Sequence, residues 1–171
     1  INDALDSDLI VTTGGVSVGK YDLIQKSLLN FTKNSNEFWK IAMRPGKPLL
    51  FSKINNTPLL GLPGNPVSTG VCALIFVNIA IKKMLGNETS LPEFEKITLE
   101  GSLKNNDERM DFLRAKIKNI DGHLFAIPFE RQDSSMINQF SSSDCLLLSD
   151  PFERKINNGE LVKVIRFQNN I

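Results

Sequence analysis

Leu9-Ile10-Val11-Thr12-Thr13 is a short apolar and β-branched run that stops at Gly14-Gly15. The pattern predicts a strand over 8–13, buried on both faces, that delivers a glycine loop at its carboxyl end. After the loop, Leu23, Ile24, Ser27, Leu28 and Phe31 fall at helical spacing, predicting a helix from Tyr21 to about Phe31. Strand, glycine loop and helix form half of a βαβ unit and point to a parallel α/β sheet. Phe38–Met43 reads as a second strand, ended by Arg44-Pro45-Gly46-Lys47-Pro48. Leu49–Ile54 and Pro58–Leu62 read as a hairpin around Asn55-Asn56.

Gly61-Leu62-Pro63-Gly64-Asn65-Pro66 closes that hairpin and opens the longest helix. Asn65 suits the N-cap, and Pro66 suits the first helical position, where its missing N–H costs nothing. The helix is expected to run to about Leu85, with Lys82 and Lys83 in its last turn and Gly86 as its stop. No charged residue occurs between Ile54 and Lys82, so a membrane span has to be weighed. Pro63, Gly64 and Pro66 interrupt the run, and the body from Val71 to Ile81 is shorter than the roughly 20 residues a span needs. A buried core helix is the reading.

Character changes at Ser90-Leu91-Pro92. Short alternating stretches follow at Lys96–Leu103, Phe112–Ile120, Leu124–Pro128, Cys145–Leu148 and Leu161–Phe167, separated by Gly and Asn turns. They predict a small all-β barrel or open sandwich. The expected organisation is an α/β three-layer half-domain with a parallel-type sheet over 1–89, followed by a small all-β barrel domain over 90–171.

Composition narrows the function classes. The 171 residues are 41% apolar and 23% charged, ordinary globular usage. A net charge of +1 supplies neither a basic field for nucleic acid nor a polybasic patch for a membrane surface. Two cysteines, Cys72 and Cys145, cannot build a disulfide framework and read as buried small hydrophobes. The single histidine, His123, excludes multi-His zinc sites and reads as a turn residue. No secretory signal is legible at Ile1, and the chain opens as though cut from a larger protein; a reducing, cytoplasmic setting is expected.

Candidate chemistry gathers at the two glycine loops, outside the carboxyl ends of the strands where open sheets bind ligands. Gly14-Gly15-Val16-Ser17-Val18-Gly19 can turn its amides toward an anion, because glycine accepts the positive φ such a nest needs. Gly64-Asn65-Pro66 leads into a helix start, whose free N–H groups favour phosphate or carboxylate. Neither loop is GxGxxG or a P-loop, which disfavours dinucleotide and Walker-type sites. Lys40, Arg44 and Lys47 lie between the loops. Asp22, in the first turn after Gly19, could hold Mg²⁺ or a water beside a phosphate, or simply compensate the helix dipole. Arg114 lies in a strand-like run, and Gln132-Asp133-Ser134-Ser135 supplies short hydroxyls; together they suit an oxyanion, and singly they read as surface residues.

Thr12–Gly19 with Asp22, Phe38–Pro48, and Gly61–Ser68 closely resemble the molybdopterin molybdenumtransferase family, the MoeA and gephyrin E-domain insertases. Arg109–Arg114, Gln132–Ser135 and the closing Asn158–Val162 turn and strand are similar to that family's C-terminal barrel. The resemblance implies a substrate, adenylated molybdopterin. With molybdate as the second substrate and Mg²⁺ as cofactor, its phosphoanhydride is hydrolysed, molybdenum enters the dithiolene and AMP leaves. It implies catalytic roles for Asp22, Lys40 and Arg44, with Asp22 as the metal position. It implies substrate binding by Gly14, Gly15, Ser17, Gly19, Lys47, Gly64, Asn65, Ser68, Arg114 and Ser134, the last two approaching a partner subunit's site in a homodimer. An adenylyltransferase is the expected donor protein, and no nucleic acid or membrane partner is expected. Ser135 replaces a usual Gly, Ser143-Asp144 a usual Ala-Asn, and Arg44 a commoner Lys. Because the family's chain begins well before Ile1, this one is expected to hold about half a site and to be inactive alone. The rivals are the adenylyltransferase of similar fold, which typically carries Gly-Gly-Thr-Gly and no barrel, and a non-catalytic scaffold module.

Overall fold

Alternation in Leu50–Ile54 places Leu50, Ser52 and Ile54 inward, while Leu59–Leu62 is buried at every position. A strand buried on both faces belongs at a sheet's centre, and the computed structural model places it there. The structure describes residues 4–16, 23–28, 38–87 and 92–167. Strands β1 (Ile10–Thr13), β2 (Phe38–Trp39), β4 (Leu50–Ile54) and β5 (Thr57–Leu62) form a sheet of order β1-β5-β4-β2. Among the described strands of this sheet only the β1–β5 pair is parallel; the β4–β5 hairpin turns at Asn55-Asn56, with Asn55 left-handed at φ 54°.

Two expectations are corrected here. The first strand is not buried on both faces: β1 lies outermost among the described strands, with Val11 42% exposed. The expected strand over 38–43 is two strands in different sheets. β2 pairs with β4, the backbone breaks at Lys40 (φ 66°), and β3 (Met43–Arg44) pairs in parallel with the second sheet. A left-handed non-glycine residue interrupts the pleat, and hydrophobicity along the segment carries no sign of it.

Helix α1 (Leu23–Leu28) covers one sheet face, where Leu28, Ile10, Leu50, Ile54 and Leu59 pack together. Helix α2 (Pro66–Met84) covers the other. Asn65 caps it, its Oδ1 accepting from the Val67 and Ser68 amides at 3.1 and 3.2 Å, and Pro66 opens it. It stops as expected: Gly86 is left-handed at φ 82°, and the Asn87 N–H returns to the Lys82 carbonyl. A π-helical turn at Ala73–Val77 interrupts it. By length and composition α2 could cross a membrane. Its first half instead lies in the core through Val67, Val71, Cys72 and Ile75, while its last turns expose Ile81 and Met84. The expected core helix is therefore a core helix over half its length.

The second sheet comprises β6 (Glu95–Leu99), β7 (Met110–Ile120), β8 (His123–Pro128), β9 (Cys145–Ser149) and β10 (Leu161–Arg166). The order β7-β8-β6-β10-β9, with β9 pairing back onto β7, closes a five-stranded barrel, and β3 is added alongside β7. Asp121-Gly122 joins β7 to β8 with both residues at positive φ, the requirement of a two-residue type I′ turn. Leu99, Ala115, Ala126, Cys145, Leu147, Val162 and Val164 fill the barrel. Their alternates Phe112, Leu146, Leu148 and Ile165 face outward into the core shared with α2 and β5. Ile41 and the short helix α3 (Ile137–Ser141), through Phe140, close the same core. One hydrophobic core thus binds the α/β layer to the barrel wall.

Candidate functional site

The two glycine loops meet. The Gly14 N–H donates to the Leu62 carbonyl at 3.0 Å, and a Cβ on Gly64 would stand 3.3 Å from the Gly14 Cα. Gly14 and Gly15 both have positive φ, 78° and 69°, which turns the backbone sharply at the end of β1. A Cβ on Gly15 would meet Ile24 Cγ1 at 2.7 Å, and one on Gly61 would meet Val16 Cγ1 at 2.6 Å. Val16, 1% exposed, therefore plugs the loop against β5. The first turn of α2 begins beside this junction, so the positive end of the helix and the glycine turn converge on one place.

Asn65 and Ser68 are brought to the junction, with their polar atoms partly used. Asn65 Oδ1 caps the helix and accepts from Ser68 Oγ at 3.4 Å, and Thr69 Oγ1 donates to the carbonyls of Pro63 and Asn65. Lys40 belongs to the same corner. Its ammonium lies 3.8 Å from the ring centroid of Trp39, whose Nε1 donates to the Val16 carbonyl at 2.7 Å. Lys47 is exposed on the turn after β3, its carbonyl accepting from the Ile41 N–H at 3.0 Å. Ser17, Gly19 and Asp22, the metal position included, lie outside the described residues.

Arg44 faces a different neighbourhood. Its Nε and Nη2 grip the two Asp111 oxygens at 2.8 Å each, and Nη1 reaches Asp107 at 3.2 Å. The Asp111 hydrogen bonds raise the Arg44 pKa above its ordinary value. Arg44 and Asp111 line a cleft of about 600 Å³ whose other walls come from the barrel and the loops joining its strands. Arg44 lies between the loops in sequence, but its side chain is turned away to the barrel. Its charge is matched by Asp111, a partner 67 positions away that turn chemistry could not reveal.

Arg114 is not a surface residue. It is 1% exposed, alternating with barrel-filling Leu113 and Ala115 on β7, beside outward-facing Phe112. Its Nη2 donates to the Asp133 carbonyl at 3.0 Å, and its Nε is buried without a hydrogen-bond partner. Burial lowers its pKa, against a smaller opposing effect of the Asp133 charge. The Gln132 side chain holds the Arg114 backbone from both sides: Oε1 accepts its N–H at 2.9 Å and Nε2 donates to its carbonyl at 3.0 Å. Ser134 follows in a turn tied by the Ser135 N–H to Asp133 Oδ1 at 2.8 Å. Both cysteine thiols are pushed up to about 12 by burial.

Trp39, Asp111 and Gln132 escaped the sequence reading. Trp39 lies inside the predicted strand over 38–43, and Asp111 and Gln132 lie inside the runs Arg109–Arg114 and Gln132–Ser135 with no local sign of their partners. A lone tryptophan beside a lysine was the one available signal.

Residues 1–83 match the family described as a probable molybdopterin binding domain, and residues 96–167 match the MoeA C-terminal region (domain IV). Among similar proteins, a molybdopterin molybdenumtransferase of Haemophilus influenzae is 35% identical over 164 residues, 94% of this chain and 40% of that protein. One of Staphylococcus aureus is 28% identical over 166 residues, covering 96% of this chain and 39% of its own length. The chain thus spans about two fifths of the curated relatives it matches. A solved molybdopterin biosynthesis MoeA protein of Pyrococcus horikoshii superposes with a TM-score of 0.73 at 25% identity, over 95% of this chain and 38% of that one.

Proposed function

The chain belongs to the MoeA-type molybdopterin molybdenumtransferase family, and from that premise we propose that it serves the molybdenum insertion step of molybdenum cofactor biosynthesis. The substrates on this reading are adenylated molybdopterin and molybdate, and the products are molybdenum cofactor and AMP. The observation that carries it is the contact of Gly14 with Gly64 at the start of α2. It joins a glycine turn and the positive end of a helix into one surface suited to a phosphoanhydride.

The chain's own residues have distinct tasks. Backbone N–H groups of Gly15 and of Gly64-Asn65, ahead of the capped first turn of α2, bind phosphoryl oxygens, whose charge grows as the phosphoanhydride breaks, with the positive end of the helix behind them. Donors held in place before the reaction stabilise that charge without reorganising. Lys40 adds a positive charge at the rim, over the Trp39 ring. Asn65 takes up the Val67 and Ser68 amides and so fixes the first turn of α2 against the glycine turn. Arg114, a buried cation matched by no carboxylate within ion-pair distance among the described residues, supplies a second anion-seeking group from the barrel.

Mg²⁺ at Asp22 is retained as part of this proposal. The described residues hold no group of three or more His, Cys, Asp or Glu that would bind it, so no step here is routed through the ion. A homodimer, an adenylyltransferase as donor of the substrate, and a cytoplasmic location complete the reading; the family match supports it, as does the barrel that an adenylyltransferase lacks. The test is AMP release from adenylated molybdopterin with molybdate and Mg²⁺. It compares this chain with the same chain joined to the preceding domains of a relative. Release by the joined protein and none by the chain alone is expected. Binding of the pterin without AMP release by either would contradict insertion and favour a scaffold.

A further inference from the structure

We infer that Trp39 is a positioning residue that ties Lys40 to the glycine loop, an assignment that rests on the anion-binding reading of that loop. Trp39 is the one tryptophan in the chain, and its indole is used at both of its chemically different parts. The edge Nε1–H donates to the Val16 carbonyl at 2.7 Å, and the face lies under the Lys40 ammonium at 3.8 Å.

Each contact does separate work. The hydrogen bond spans 23 positions and fastens the end of the Gly14-Gly15-Val16 turn to β2, a strand at the opposite edge of the sheet. Val16 is held from the other side by Gly61, where a Cβ would lie 2.6 Å from its Cγ1. A loop whose glycines favour many conformations is thereby restricted to one, which lowers the ordering cost of anion binding. The ring face acts on Lys40. That residue is exposed and left-handed at φ 66°, with its N–H bonded to the Leu49 carbonyl at 3.0 Å, so its backbone turns the side chain back over Trp39. A cation over an indole loses few water contacts and keeps its charge available, yet its flexible stem is confined to one side of the loop. The backbone break that separates β2 from β3 is the same feature that aims Lys40.

The assignment separates by substitution. Trp39→Phe keeps a ring under Lys40 and removes the N–H; Trp39→Leu removes both. Inorganic pyrophosphate is titrated calorimetrically into the wild type, both variants, Lys40→Ala and the two doubles, with circular dichroism melts confirming that each is folded. Trp39→Phe is expected to weaken binding about three- to tenfold, with Lys40→Ala keeping its full effect in that background. Trp39→Leu is expected to weaken binding further and to erase the effect of Lys40→Ala, the non-additivity that marks one residue acting through another. An independent readout needs no ligand: the Lys40 Hε protons should show an upfield ring-current shift in the wild type and Trp39→Phe, lost in Trp39→Leu. Pyrophosphate binding by the wild type, with Lys40→Ala costing the same in every background, overturns the assignment, as does an unshifted Lys40 in the wild type. A folded wild type that binds no pyrophosphate overturns the anion reading itself, and the positioning role with it.

Discussion

Gly14 and Gly64 touch backbone to backbone: a Cβ added to Gly64 would lie 3.3 Å from the Gly14 Cα. That spacing is tighter than a methyl normally tolerates against backbone, and Gly14 cannot retreat without disturbing its hydrogen bond to Leu62. Gly64→Ala is therefore expected to part the loops by a few tenths of an ångström. Pyrophosphate affinity should fall about tenfold while stability changes by less than about 1 kcal/mol. Gly14→Ala acts differently, forcing a side chain onto φ 78° at a cost of about 1–2 kcal/mol. Calorimetric titration beside urea unfolding separates the two; an unaltered affinity in Gly64→Ala would contradict the joined-loop site.

Arg44 and Asp111 make the next prediction. Their two 2.8 Å hydrogen bonds join the segment after β2 to the barrel, with the Asp111 side chain 13% exposed and the Arg44 side chain 44% exposed. Arg44→Ala leaves a mostly buried carboxylate unpaired and should cost about 1–2 kcal/mol, discounted for the exposed guanidinium. Arg44→Lys should recover little, since an ammonium cannot grip both oxygens. Pyrophosphate affinity in the folded variant should stay within about twofold of wild type. A large loss of affinity with unchanged urea midpoint would return Arg44 to the anion site.

Acid sensitivity follows from Asp107. Hydrogen bonds from the Arg109 side chain and backbone, with smaller help from the Arg44 charge, lower its carboxyl to about 2. A folded pKa below the unfolded one means stabilisation that is fully present above about pH 4 and lost as pH falls toward about 2. Glu160, lowered to about 2 chiefly by its hydrogen bond from Arg154, acts in the same direction over the same window. A carbon-13 titration of the Asp107 carboxyl should give a midpoint near the lowered value. A midpoint at the ordinary aspartate position would contradict the pairing with Arg109.

Arg114 is a cost to the fold. A buried cation with one carbonyl partner and an unsatisfied Nε should be replaceable by Met at little loss, and the variant should unfold within about 1 kcal/mol of wild type or higher. AMP release in the joined protein should fall by at least about 100-fold. Loss of more than about 3 kcal/mol would mean that Arg114 holds the barrel wall together and is not reserved for a ligand.

The sequence made the hairpin, the Asn65 cap, the Gly86 stop and the barrel strands legible, because each rests on local rules: alternation, capping geometry and turn residues. The glycine loops were legible as loops, and their contact was not, since nothing local relates Gly14 to Gly64. The break at Lys40 was hidden for a similar reason. Phe38–Met43 reads as one apolar run, and only long-range pairing with β4 on one side and β7 on the other divides it. The Arg44–Asp111 pair and the burial of Arg114 were hidden for the same cause. The surroundings, Asp111 for Arg44 and Phe112 with the Gln132 loop for Arg114, come from barrel closure. Arg114 nevertheless sat in a strand whose alternation could have signalled an inward or core-facing side chain.

The most direct test is a nitrogen-15 titration of this chain with pyrophosphate and with AMP. Shifts should concentrate at the amides of Gly14, Gly15 and Val16, at Gly64, Asn65 and Val67 through Thr69, and at Lys40. Shifts confined to the cleft beside Arg44 and Asp111, or none up to millimolar ligand, would contradict an anion site at the meeting of the two glycine loops.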